Sequence, residues 1–142
     1  MENKIRIAVK SDIFRLTEIY EKNGLSPRKT VCKKSLNELE AFLNGKNNFI
    51  LVCERGGRIS ACCEVSVVPS LCFSSCPTVF VSGMCCESEK SFNCLCLLIA
   101  KIREVAFRRN CGKIIFLNET CSGFLNSVYM SSGLRRDSCY SI

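Results

Sequence analysis

Thirteen cysteines, no histidine and a surplus of basic residues set the chemistry open to this 142-residue chain. Without an imidazole, Ser-His-Asp and Cys-His nucleophilic sites, HExxH zinc hydrolases and Cys/His zinc fingers are excluded. The cysteines form no Cys-x-x-Cys pair; Cys72-x-x-x-Cys76 and Cys94-x-Cys96 come nearest to ligand spacing. Others sit in apolar runs such as Ala61-Cys62-Cys63 and Cys94-Leu95-Cys96-Leu97-Leu98, where a thiol behaves as a small hydrophobe. The pattern reads as structural cysteine in a reducing cytoplasm, with no metal centre. The odd count and the polar start Met1-Glu2-Asn3-Lys4-Ile5-Arg6 argue against a secreted disulfide scaffold.

Twenty basic against 13 acidic side chains leave a formal charge of +7. The excess is spread over the doublets Arg28-Lys29, Lys33-Lys34, Arg108-Arg109 and Arg135-Arg136. Such a surface attracts a polyanion, either a phosphorylated small molecule or a nucleic acid, and composition does not choose between them. Few aromatics alternate with the basic residues, so a stacking platform for single strands lacks support. No apolar run approaches the roughly 20 residues that span a bilayer, and no membrane partner is expected.

The elements that must position any site follow from the hydrophobic periods. At 47% apolar and 23% charged residues the chain is no disordered tail, and residues 1–142 read as a single domain. Residues 5–9 alternate as an opening strand. Ser11-Asp12 then caps a helix with the face Ile13, Leu16, Ile19 and Tyr20, ended by Asn23-Gly24. Ser35-Leu36-Asn37-Glu38 has the form of a capping box opening a second, short helix. Strands at 49–54 and 59–68 flank the hairpin turn Arg55-Gly56-Gly57-Arg58. A third strand in this block covers 78–86 and contains Gly83, a residue that in a strand marks a bulge or a close backbone approach. The longest helix spans 91–110, with Phe92, Leu95, Cys96, Ile99, Ile102 and Ala106 on one face. An apolar, buried strand at 114–117, a helix at 122–131 and a last strand to 142 complete the order.

This order, with the residues that punctuate it, resembles the GCN5-related N-acetyltransferase superfamily over nearly the whole chain. The most specific local likeness is Val128-Tyr129-Met130-Ser131-Ser132-Gly133-Leu134, similar to the family's element at the end of the last helix. Cys111-Gly112-Lys113-Ile114-Ile115-Phe116-Leu117 resembles the entry to its fifth strand. The resemblance implies an α/β (α+β) fold with a mixed, mostly antiparallel twisted sheet of about six to seven strands flanked by about four helices. It implies acetyl-CoA as the acyl donor, held along Met84, Cys85 and Cys86, with a primary amine as acceptor. It places the pyrophosphate at Lys90, Ser91, Phe92, Asn93, Cys94 and Leu95, where a helix start offers unpaired N–H groups. It makes Tyr129 the acid that protonates the leaving thiolate, and the N–H of Met84 or Cys85 the group that polarises the thioester carbonyl.

Two departures from the family pattern bear on activity. The family's phosphate loop carries glycines, and Lys90-Ser91-Phe92-Asn93-Cys94-Leu95-Cys96 has none. Small-molecule members often place a Glu two residues before the freed strand edge, and this chain has Ser82 there. Glu64, Glu87 and Glu119 are the remaining candidates for a base, beside an ordered water. The first expectation is therefore an N-acetyltransferase, with a family tendency to homodimerise. The alternative is a catalytically silent fold of the same type, binding a protein or ribonucleoprotein partner through its basic surface.

Overall fold

The computed structural model describes residues 2–25, 33–71, 76–119 and 122–136. Its elements run β1 (Asn3–Ile7), α1 (Ile13–Lys22), α2 (Lys33–Leu43), β2 (Asn48–Arg55), β3 (Arg58–Val68), β4 (Thr78–Cys86), α3 (Phe92–Arg108), β5 (Lys113–Phe116) and α4 (Gly123–Ser131). Short 3₁₀ turns at Lys10–Asp12 and Glu89–Ser91 lead into α1 and α3.

The five strands form one sheet in sequence order, antiparallel from β1 to β4 and parallel between β4 and β5. The expected mixed, mostly antiparallel architecture and its four helices are present. Among the described residues the sheet has five strands, fewer than the six to seven expected. Most of the proposed last strand, residues 137–142, lies outside the described residues, and 134–136 are not strand.

Strand alternation sorts the core into two layers. Leu51, Cys53, Cys63, Val65, Val79 and Val81 pack under α3 and α4, together with Leu95, Leu98, Ile99, Ile102 and Val128. Ile50, Val52, Ile59 and Cys62 face the other way, against Ile13, Leu16 and Ile19 of α1 and Leu39 of α2. The β2–β3 hairpin closes through Gly56 and Gly57, whose φ values of 61° and 79° are costly for any residue with a Cβ.

Three local expectations are corrected. Helix α2 begins at Lys33, so Ser35 lies inside it and does not cap it. Phe92 is 39% exposed, and Cys94 and Leu98 join the buried face of α3 instead. Strand β5 is half-buried throughout, because it is the edge of the described sheet.

Candidate active site

The break in the sheet is at Gly83. Ser82 pairs with Glu64 and Cys85 with Cys62, so β4 spends one more residue than β3 across this step. Gly83 takes φ +60°, a left-handed conformation that L side chains rarely adopt. The insertion reverses the parity of the strand. Val79 and Val81 face the α3 layer before it, and Met84 and Cys86 do so after it. Ser82 and Cys85 instead lie on the α1 face, where Cys85 joins the smaller core.

The parallel pairing of β4 with β5 ends here as well. Its last register pair is Val81 with Phe116, followed by the Leu117 N–H donating to the Val81 carbonyl at 2.9 Å. Beyond that point β4 has no strand on this side among the described residues, and a wedge opens between the two chains. The chain caps part of the opened edge with its own side chains. The Gly83 N–H donates to Glu119 Oε1 at 2.8 Å. The Cys86 carbonyl accepts from Asn23 Nδ2 at 2.9 Å, and the same amide donates to the Ile19 carbonyl at 2.8 Å. At the outer end lies a groove of about 190 Å³ between Lys22 and Asn23, the β4–α3 connection from Cys86 to Glu89, and Ser122 and Phe124. A crevice of about 20 Å³ continues inward along Met84 and Cys85 to Leu95 and Leu125.

Tyr129 reaches the wedge from α4. Its ring packs on Phe116 with centroids 5.4 Å apart. Only 7% of the residue is exposed, and the buried hydroxyl has no hydrogen-bond partner among the described residues. Burial, then the nearby Cys63, Glu119 and Cys85, raise the Tyr129 pKa above its ordinary value. The hydroxyl therefore stays protonated at neutral pH.

On the opposite face of the bulge, Glu64 Oε1 accepts from the Tyr20 hydroxyl at 3.2 Å, and Oε2 makes a longer 3.5 Å contact with Ser82 Oγ. A Cβ at position 83 would stand 3.6 Å from Glu64 Cγ and 3.7 Å from Cδ, so the Glu64 side chain lies directly over Gly83. Burial and the surrounding Cys62, Glu64 and Cys85 push the Tyr20 pKa well up. Glu87, the third carboxylate considered, is engaged on the surface by Arg15 at 2.9 Å and Arg58 at 3.4 Å. Arg15, the main influence, holds its pKa below the usual carboxylate range.

The residues expected to hold a cofactor divide into three groups. Met84, Cys85 and Cys86 lie on the open edge with buried side chains. Lys90, Phe92 and Asn93 are exposed at the start of α3, where Phe92 sits 6.5 Å from Phe124. Ser91, Cys94 and Leu95 point inward, the last two into the main core. The Ser91 N–H is already bonded to the Ser88 carbonyl at 2.9 Å, and Arg55 donates to the Lys90 carbonyl at 3.2 Å.

The buried cysteines among the described residues are packing residues. All nine described cysteines are free thiols, and no group of three or more His, Cys, Asp or Glu able to hold a metal occurs among the described residues. Burial raises the Cys53 pKa to about 12 and that of Cys86 to about 11. A contact with Cys62, Sγ to Sγ 3.6 Å, raises Cys85 further. With pKa values raised in this way, Cys53, Cys85 and Cys86 are not thiolate nucleophiles at neutral pH.

Glu64 and Glu119 were among the candidate bases, but three contacts were not foreseen from the sequence: Tyr20 with Glu64, Glu119 on Gly83, and Asn23 on Cys86. Only the first had a signal, since the period-two pairing of β3 with β4 sets residue 64 against residue 82.

No family model matches the sequence, and no curated protein does. Solved structures do match the fold. A chain of Agrobacterium tumefaciens described as an acetyltransferase is 21% identical, with 98% of each chain covered and a TM-score of 0.86. A Bacillus halodurans chain described as a transcriptional regulator is 16% identical, with 99% of each chain covered and the same TM-score of 0.86. A Clostridium acetobutylicum chain described as a predicted acetyltransferase, solved with acetyl-CoA, is 17% identical over 99% of this chain and 95% of its own, at a TM-score of 0.75. The chain has the fold of the GCN5-related N-acetyltransferases. No helix of the described residues is long and apolar enough to cross a membrane.

Proposed function

We propose that this protein transfers an acetyl group from acetyl-CoA to a primary amine. The observation that carries the reading is the Tyr129 hydroxyl, buried without a partner beside the edge that Gly83 opens. A buried polar group left unpaired costs about 1–3 kcal/mol, and such a cost persists where a ligand completes the bonding. The donor residues suit the group. Met84 to Cys86 offer a strand edge for an amide-rich arm, and Lys90, Phe92 and Asn93 flank the positive end of α3 for its phosphates. Acetyl-CoA would supply an activated acyl carbon and a thiolate leaving group. Tyr129 holds the proton that the leaving sulfur needs, at a raised pKa that keeps it in place until then. The N–H groups of Met84 and Cys85 are the candidates for polarising the acyl oxygen. The free thiols among the described cysteines support a reducing, cytoplasmic setting.

A second reading has an observation of its own. The edge is already capped by Glu119 and Asn23, and the groove of about 190 Å³ is small beside common ligand pockets. A silent fold retained as a binding module would look like this.

Thermal shift with acetyl-CoA separates the two. A ligand at about 100 times its dissociation constant adds about 2.7 kcal/mol of stability, a rise of several degrees in Tm. No shift at millimolar acetyl-CoA refutes the transferase reading and leaves the binding module.

A further inference from the structure

We propose that Glu64 receives the ammonium group of the acceptor and takes its proton, which makes the acceptor a cationic amine with no anionic group beside the nitrogen. This rests on the acetyl-transfer reading above. The β3–β4 register sets Glu64 directly against Ser82, so a carboxylate absent from β4 is supplied at the same level of the sheet by the neighbouring strand. A Cβ at Gly83 would stand 3.6 Å from Glu64 Cγ and 3.7 Å from Cδ, so the missing side chain leaves the Glu64 carboxyl facing the bulge. The Tyr20 hydroxyl at 3.2 Å and Ser82 at 3.5 Å fix the carboxylate and leave it further acceptor capacity. Glu119, on the Gly83 N–H, adds a second negative group on the wedge side of the bulge. Among the described residues no Lys or Arg forms an ion pair with either carboxylate. The Tyr129 hydroxyl, on a residue only 7% exposed, lies near Glu119 and Cys85 on the other side of the same bulge and has no hydrogen-bond partner among the described residues.

The step balances. One proton passes from the ammonium to Glu64, and the freed nitrogen lone pair forms the C–N bond. The C–S bond breaks, and its sulfur takes the Tyr129 proton. The second nitrogen proton restores Tyr129, and Glu64 releases the first to water.

The test uses the full chain with acetyl-CoA and either spermidine, a polycation, or glucosamine 6-phosphate, an anionic amino sugar, with thiol release as the readout. The expected kcat/KM for spermidine is at least about 10-fold the higher, and Glu64→Gln lowers it about 100-fold. Gln keeps acceptor oxygen for Tyr20, and the melting curve with and without acetyl-CoA confirms an intact fold and cofactor edge. Glu64→Asp retains the preference for spermidine. Equal use of the two acceptors, a Glu64→Gln rate within about twofold of wild type, or acetyl-CoA binding with turnover of neither amine overturns the assignment. Failure of the wild type to bind acetyl-CoA is a different result, and it removes the transferase reading itself.

Discussion

Tyr129→Phe tests the site because its two effects have opposite signs. Removing a hydroxyl that is buried and unpartnered relieves a desolvation cost of about 1–3 kcal/mol, and the ring contact with Phe116 at 5.4 Å survives. The unfolding entropy of 142 residues, at about 2.1 cal/mol/K each, is near 300 cal/mol/K, so about 1–3 kcal/mol raises Tm by about 3–10 °C. The same change removes the proton held for the leaving thiolate, and the transfer rate falls by about 10²–10⁴. Thermal melting and steady-state thiol release on one preparation read both numbers. Affinity for acetyl-CoA falls much less than the rate does, because the strand edge is untouched and the proton is lost from the chemical step. A fall of several degrees in Tm would refute the reasoning, since it would show that the hydroxyl is hydrogen-bonded in solution. An unchanged rate would remove Tyr129 as the acid.

Two further outcomes concern the frame around the site. Gly83→Ala places a methyl in ordinary contact, 3.6 Å from Glu64 and Tyr20, so its cost comes from φ +60° alone. That is about 1–2 kcal/mol, a drop of about 3–7 °C, and a loss beyond about 4 kcal/mol would refute it by revealing overpacking. Asp12 takes a two-pronged bond from Arg6 at 2.7 and 3.0 Å and the Val9 N–H at 2.8 Å. Arg6, the main cause, holds its pKa below the ordinary 3.8. A depressed folded-state value gives stability that is present above about pH 4 and lost as the pH falls further. Asp12→Asn therefore costs about 1–3 kcal/mol at pH 7 and less at pH 3, read from urea midpoints. An equal cost at both would contradict the ion pair.

Most of the frame was legible because it depends on local chemistry. The two glycines at 56 and 57 dictate a tight hairpin, and Ile13, Leu16 and Ile19 mark the one buried stripe of α1. Gly83 stood out as the residue that interrupts a β-rich run, and it is where the register shifts. The errors share another cause. Ser35-Leu36-Asn37-Glu38 satisfies the capping pattern, but a helix starts where its first turn can be closed, which here is at Lys33. The apolar run 114–117 promised a buried strand, but burial is set by what lies beyond the strand, and among the described residues β5 is the edge of the sheet. Glu64, Glu119 and Asn23 reach the bulge from β3, from the segment after β5 and from the end of α1, and only the folded register reveals such a meeting.

The two sides of the wedge prepare differently for a ligand. Splaying β4 from β5 strands main-chain groups that must find partners, and here the Gly83 N–H takes Glu119 while the Cys86 carbonyl takes Asn23. Both partners are side-chain tips, so a ligand amide that displaces one exchanges a hydrogen bond for another, and the net change is small. The Tyr129 hydroxyl has no such substitute. A ligand atom that reaches it gains a bond where none existed, in a buried setting where that bond is strongest. The edge therefore sets where an extended ligand lies, while most of the gain in binding and reactivity falls at its reactive end, next to the bulge and under the Glu64 carboxylate.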